Sequence, residues 1–260
     1  MTVPTTDDNA PDGRSLHARI AADLRDEIMS GDLAPGAKLP STIHLKARFD
    51  ASSATVQKAL QLLKDERLVI GRAGAAVTVR ENRQRTIDPT WSLTTAPTGA
   101  AYPWLASVAA HGGTARSTLL EVGEVTPPAD VAAALGRQDA QATLLRRQLL
   151  HIDDEPAELV CSYYPLEIAL GTALAEPRRI KGGTPTLLTE LGFPPRLSVD
   201  RVSARVPTQE QCGALRLPRD LPVLRTLRTV YGDGDRTLEV TVMVKAGHLY
   251  ELQYEFTPEP

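Results

Sequence analysis

Apolar residues recur at every fourth position through Leu16, Ile20, Leu24 and Ile28, with polar residues between them. This spacing predicts an amphipathic helix that starts behind Ser15 and stops at Gly31. The stretch from Gly31 to Pro40 is rich in turn-forming residues and reads as a connector. Ser41 then opens a second short helix carrying Leu45 and Phe49 inward, and Ser52 a third, whose Val56, Leu60 and Leu63 face the first two. Val69-Ile70 and Ala76 to Val79 read as two short strands around Gly71-Arg-Ala-Gly74. Three helices followed by a hairpin is the plan of a winged helix-turn-helix.

Residues 81 to 101 contain Pro89, Pro97 and Gly99 with few large apolar side chains, which marks a linker. From Tyr102 the pattern becomes mixed. Helices are expected over Leu105 to Ala110, Pro128 to Leu135, Pro185 to Leu191 and Gln209 to Leu215. Extended segments are expected over Ser117 to Glu124, Ala142 to Ile152, Glu158 to Tyr164, Leu197 to Val206, Val223 to Tyr231, Thr237 to Lys245 and Leu249 to Phe256. The short Gly232-Asp-Gly-Asp235 turn makes neighbouring strands antiparallel, so the second half is an α+β domain on an antiparallel sheet. The expected organisation is a disordered stretch over 1–13, a winged helix-turn-helix over 14–80, a linker over 81–101 and a second domain over 102–257.

A chain of 260 residues can fill two cores, which agrees with that division. The net charge of −3 is unpromising for a nucleic-acid binder until its distribution is considered. Residues 14 to 85 hold 13 Lys/Arg against 8 Asp/Glu, whereas residues 86 to 260 hold 16 against 21. A basic module joined to an acidic one suits DNA binding at one end, although solvated faces can give the same fluctuation. Cys161 and Cys212 lack metal-ligand spacing and read as small buried thiols in a reducing compartment. No apolar run approaches the length needed to span a bilayer, so a soluble, cytoplasmic protein without membrane contact is expected. The five histidines are scattered and no catalytic or nucleotide-binding fingerprint accompanies them, so neither an enzyme nor a bound cofactor or metal is expected.

The third helix opens Ser52-Ser-Ala-Thr-Val-Gln-Lys58. The hydroxyls of Ser52, Ser53 and Thr55, together with free N–H groups around Ala54, can bind phosphate oxygens at a helix start. Gln57 can bond adenine through two hydrogen bonds, and Lys58 can neutralise a phosphate. Ser41, Thr42 and Lys46 on the second helix, with Arg72 and Gly74 on the wing, complete the candidate surface for double-stranded operator DNA. Each has a plainer alternative: Ser52 as a helix cap alone, Lys58 and Arg72 as solvated charges.

Gly31-Asp-Leu-Ala-Pro-Gly-Ala-Lys-Leu-Pro-Ser41, Leu45, Ala47, Phe49, Ser52, Thr55-Val56, Ala59-Leu60, Leu63 and Leu68-Val69 together resemble the winged helix of the GntR family. Three departures stand out. Ile43, Ser53 and Gln57 occupy positions where the family often has arginine, Arg67 stands where glycine is usual after the recognition helix, and Ala76 replaces the usual wing aromatic. The second half resembles the UTRA domain of the HutC subfamily, of chorismate-lyase-like fold. Arg146-Arg147, Asp153-Asp-Glu-Pro156, Ser162-Tyr-Tyr-Pro165, Asp200 to Arg205 and Glu239-Val-Thr241 carry that likeness. The resemblance implies a repressor that binds a palindromic operator as a homodimer and is released by a small polar effector. It implies effector contacts at Ser162, Tyr163, Glu239, Thr241 and Tyr250, with Arg146 and Arg147 as anion contacts. Leu150 and Gln148 stand where sugar-phosphate-sensing relatives carry arginine, which argues against a phosphorylated sugar. A repressor whose second domain only dimerises, or a lyase-like enzyme, are the alternatives.

Overall fold

The computed structural model describes residues 12–71, 76–81, 84–87, 89, 103–110, 112–137, 141–218 and 221–255. The chain divides into two compact units, residues 1–83 and 84–260.

In the first unit, α1 (Leu16–Ser30) buries Ile20, Ala21, Leu24 and Ile28, the stripe that its four-residue spacing implies, and ends at Gly31 with φ 96°. A left-handed turn there is cheap only for glycine. α2 (Thr42–Phe49) buries Leu45, and α3 (Ser53–Asp65) buries Val56, Ala59, Leu60 and Leu63. Fully burying each of these larger side chains stabilises the unit by roughly 1.5–3 kcal/mol. Arg25 on α1 forks onto Glu66 just past α3, at 2.7 and 2.6 Å, and fixes the two helices. The wing pairs β1 (Val69–Ile70) with β2 (Thr78–Val79) antiparallel. The connector supports it: Gly36 and Leu39 donate to the carbonyls of Val79 and Val77, and Val79 donates to Ala37. The expected second strand, Ala76 to Val79, is thus shorter at its start.

The second unit is built on a six-stranded antiparallel sheet in the order β4-β5-β6-β9-β8-β7. These strands are β4 (Ala115–Val125), β5 (Thr143–Ile152), β6 (Glu155–Pro165), β7 (Leu197–Arg205), β8 (Val223–Tyr231) and β9 (Thr237–Ala246). Asp153 and Asp154, at φ 50° and 63°, make the tight turn from β5 to β6. One face of the sheet packs Leu145, Tyr163, Leu227 and Val240 against Val131 and Leu135, from α5 (Ala129–Ala134) and the residue that caps it. The other packs Leu144, Tyr164 and Leu238 against Ile168, Ala169, Leu174 and Leu188, from α6 (Leu166–Ala169), the following chain and α7 (Thr184–Glu190). α4 (Pro103–Ala110) precedes the sheet and α8 (Gln209–Leu215) follows β7, its start closed by a reciprocal cap between Thr208 and Gln211.

Two expectations need correction. Part of the stretch read as linker is a strand, β3 (Arg85–Ile87), and the final extended segment is only β10 (Tyr250–Leu252). β10 does not join the large sheet; it pairs in parallel with β3. A three-residue strand has too few side chains to show an alternation, which is why β3 is silent in the sequence. α6 was not anticipated for the same reason. Of residues 1–13, expected to be disordered, 1–11 lie outside the described ones.

Candidate DNA-binding surface and effector pocket

Ser41 and Ser52 cap their helices: Ser41 Oγ accepts from the His44 N–H at 3.3 Å, and Ser52 Oγ from the Thr55 N–H at 3.1 Å. The Ser52 and Thr55 hydroxyls also meet at 2.9 Å. The capping role and an anion-binding role are compatible, because each cap satisfies one N–H of a helix start that offers several. Ser52, Ser53, Ala54, Gln57 and Lys58 are exposed along α3, and Ser41 and Lys46 along α2. Gln57 Nε2 donates to Thr42 Oγ1 at 3.3 Å, so the amide proposed to read a base is held by the first residue of α2. Thr42 and Thr55 are half-buried. Arg72 and Gly74 lie outside the described residues. Ile43, 78% exposed and named above only for the arginine it replaces, shares this end of α2 with His44, and neither was counted as a DNA contact. The helical phase set by buried Leu45 would have pointed to them, since residues one and two before an inward position point away from it. Arg67 takes φ 62°, the conformation for which glycine is usual.

In the second unit a cavity of about 90 Å³ lies over the sheet. Its floor is made by alternate residues of adjacent strands: Arg146, Gln148 and Leu150 on β5, Glu158, Val160 and Ser162 on β6, Glu239, Thr241 and Met243 on β9. Because successive side chains of a strand point to opposite faces, every second residue enters one cavity. Its cover comes from the chain around Arg179 to Leu188, where Gly182 and Gly183 both have positive φ, at 76° and 85°.

That alternation decides the predicted contacts. Arg146, Ser162, Glu239 and Thr241 line the cavity; Arg147, Tyr163 and Tyr250 do not. Arg147 follows Arg146 on β5 and so emerges on the other face, where it pairs with Glu121 at 3.1 Å and Glu210 at 2.9 Å. Tyr163 follows Ser162 and packs in the core with Val131 and Leu227, burial pushing its phenol up to about 12. Tyr250 belongs to β10, apart from the large sheet. Arg146 is not a free anion contact: Nη1 donates to the Leu174 and Glu176 carbonyls at 2.6 and 2.8 Å, and Nη2 to that of Arg178 at 2.6 Å. It staples the cover segment to the floor, and burial lowers its pKa.

Ser117, Glu158 and Arg228 also line the cavity and were missed, as does Gln148, which was named only for the arginine it replaces. Stepping by two along β5 and β6 from Arg146 and Ser162 would have found Gln148 and Glu158. Ser117 donates to Gln148 at 2.9 Å, and Lys245 pairs with Glu158 at 3.1 Å. Arg228 forks onto Asp200 with both contacts at 2.6 Å and also donates to the Pro89 carbonyl at 2.9 Å. Glu239 is buried and accepts from the Thr241 hydroxyl, which lies 2.8 Å from that of Ser162. Burial raises the Glu239 carboxyl and, more strongly, the Tyr164 phenol beneath the same face. Among the described residues no cluster of His, Cys, Asp or Glu could hold a metal, and no helix is long and apolar enough to cross a membrane.

Residues 16–79 match the model of the bacterial regulatory proteins of the gntR family, and residues 110–251 that of the UTRA domain. The chain belongs to the GntR-family regulators that carry a UTRA domain. It is 28% identical over 257 residues to the uncharacterised HTH-type transcriptional regulator SCO4628 of Streptomyces coelicolor, covering 95% of this chain and 93% of that one. It is 22% identical over 246 residues to the HTH-type transcriptional regulator GgaR of Escherichia coli, covering 93% and 91%. The crystal structure of PhnF from Mycobacterium smegmatis shares the fold, with a TM-score of 0.54 at 17% identity, covering 92% of this chain and all of that one. This GntR regulator therefore joins a helix-turn-helix DNA-binding domain to a UTRA domain, the domain type that takes small-molecule effectors, and its relatives are regulators rather than enzymes.

Proposed function

We propose that this protein is a cytoplasmic repressor of the HutC type. It binds a palindromic operator as a homodimer through residues 14–80 and is released when a small polar effector occupies the UTRA cavity. A homodimer matches one recognition helix to each half of a two-fold site. On the DNA, Gln57 reads adenine, the start of α3 and Lys58 hold phosphates, and Ser41, Thr42, Lys46 and the wing residues Arg72 and Gly74 flank them.

The observation that carries effector control is the double engagement of Arg228. It lines the cavity and also donates to the Pro89 carbonyl, in the stretch that follows the DNA-binding unit in the chain. A ligand that fills the cavity changes the charge beside this guanidinium and so its hold on Pro89. It thereby acts on the chain segment joining the two domains, provided that it binds the two states unequally.

Sequencing of genomic fragments retained by the purified protein, followed by mobility shifts on the enriched site, tests the reading. The expected result is a two-fold symmetric site bound by two chains. Absence of any enriched sequence would overturn it, and enrichment of a site without symmetry would remove the homodimer.

A further inference from the structure

The charged groups around the cavity fall into two sets. Arg228 is paired with Asp200 and Glu158 with Lys245, while the terminal nitrogens of Arg146 are held by three backbone carbonyls just before the cover segment. Arg179 is exposed at the edge. Glu239 is different: it is 8% exposed, and among the described residues it forms no ion pair. The hydroxyls near it are arranged for a negative charge. Thr241 donates its hydroxyl hydrogen to Glu239, and the Ser162 hydroxyl lies 2.8 Å from that of Thr241. Arg228 acts on Glu239 from β8 without pairing with it, burial still raises the carboxyl, and the cavity beside it leaves room for a cation in direct contact.

We propose that this cavity takes a small organic cation, a protonated primary amine or an amidine, whose N–H groups meet Glu239 while Val160, Leu188 and Met243 cover its apolar part. This rests on reading the cavity as the effector site and names the chemistry of its ligand. A phosphate or carboxylate placed there would lie against Glu239, with Arg228 already forked onto Asp200 and the terminal nitrogens of Arg146 already donating to carbonyls. A neutral polyol would leave the charge uncompensated.

The charge also makes binding pH-dependent. The groups facing Glu239 are Tyr164 and Ser162 from β6, Thr241 on its own strand and Arg228 from β8, with Arg146 from β5 and Arg179 from the cover around the same cavity. Burial dominates and raises its carboxyl, whereas an ammonium stays charged to well above neutrality. A cation binds the ionised form, so affinity falls as pH drops through the raised pKa, approaching about tenfold per pH unit.

The test is a thermal-shift screen of the full-length protein. Primary amines and amidines are each paired with a neutral hydroxyl or amide isostere, and carboxylates and phosphates are included. Stabilisation by cationic members is expected, at least about tenfold weaker for their isosteres. It should be lost in Glu239→Gln, retained in part in Glu239→Asp, and weaken as pH falls. Equal response to isosteres or anions, or hits that persist unchanged in Glu239→Gln, would overturn the cation and leave the effector site standing. No response to any class would remove both.

Discussion

Arg67 sits at φ 62°, where a side chain other than glycine costs about 1–2 kcal/mol. Glycine would relieve that cost while adding about 0.4–1 kcal/mol of unfolded-state freedom, so Arg67→Gly is expected to raise stability by roughly 0.5–1 kcal/mol in urea denaturation. A loss instead would mean that the contacts of the guanidinium outweigh the strain. For Glu239 the sign follows from its raised carboxyl: protonation favours the fold, so its stability contribution is present below the unfolded pKa and lost as pH rises through the folded one. Without ligand, Glu239→Gln should therefore melt above the parent near pH 8 and at about the same temperature near pH 4. On the DNA side, Gln57→Ala is expected to lose about 1–3 kcal/mol of discrimination at one base pair. Lys58→Ala should weaken all sequences evenly and lower the salt slope by about 1, both read by fluorescence anisotropy. At this scale the sequence was readable where a residue's type was unusual for its place, as with Arg67. It was opaque where a side chain's partner lies on another element, as with the three carbonyls that occupy Arg146.

Among elements, the helices of the first unit were legible because a four-residue apolar spacing leaves few alternatives, and the long strands because their apolar runs are bounded by turns. Pocket residues were half legible. Arg146-Arg147 and Ser162-Tyr163 were each taken as pairs, yet a strand sends neighbours to opposite faces, and only the first of each pair reaches the cavity. β3 escaped detection because it is short and held mainly by backbone groups, and β10 was expected longer than it is. Arg85 donates to the Leu249 carbonyl at 2.9 Å and Gln253 to that of Ile87 at 3.1 Å. Arg228 adds its bond to Pro89, two residues past β3. Arg228→Lys keeps the charge but cannot fork onto Asp200 and reach Pro89 together. Hydrogen exchange of the Arg85 and Gln253 amides should accelerate by about tenfold, with those of β5 and β6 unchanged. Unchanged exchange at all four sites would mean that the β3–β10 pair holds without the guanidinium.

At the scale of the whole molecule, the division into a basic and an acidic part was visible in the distribution of charge, and the two folds in the order of their elements. The pairing of β3 with β10 inside the second unit was not, because 165 positions separate Thr86 from Glu251, whose side chains meet at 2.6 Å, and no local pattern reports a contact of that range. That separation has a consequence during synthesis. At about 5–20 residues per second, roughly 10–30 s pass between translation of β3 and translation of the strand that secures it. For that interval a nascent chain can carry a finished DNA-reading head while β3 has nothing to pair with, so under the proposed function newly made protein passes through a stage blind to its effector. A protease cut or premature stop shortly before residue 250 would make that stage permanent, leaving an intact winged helix that the proposed effector control does not reach.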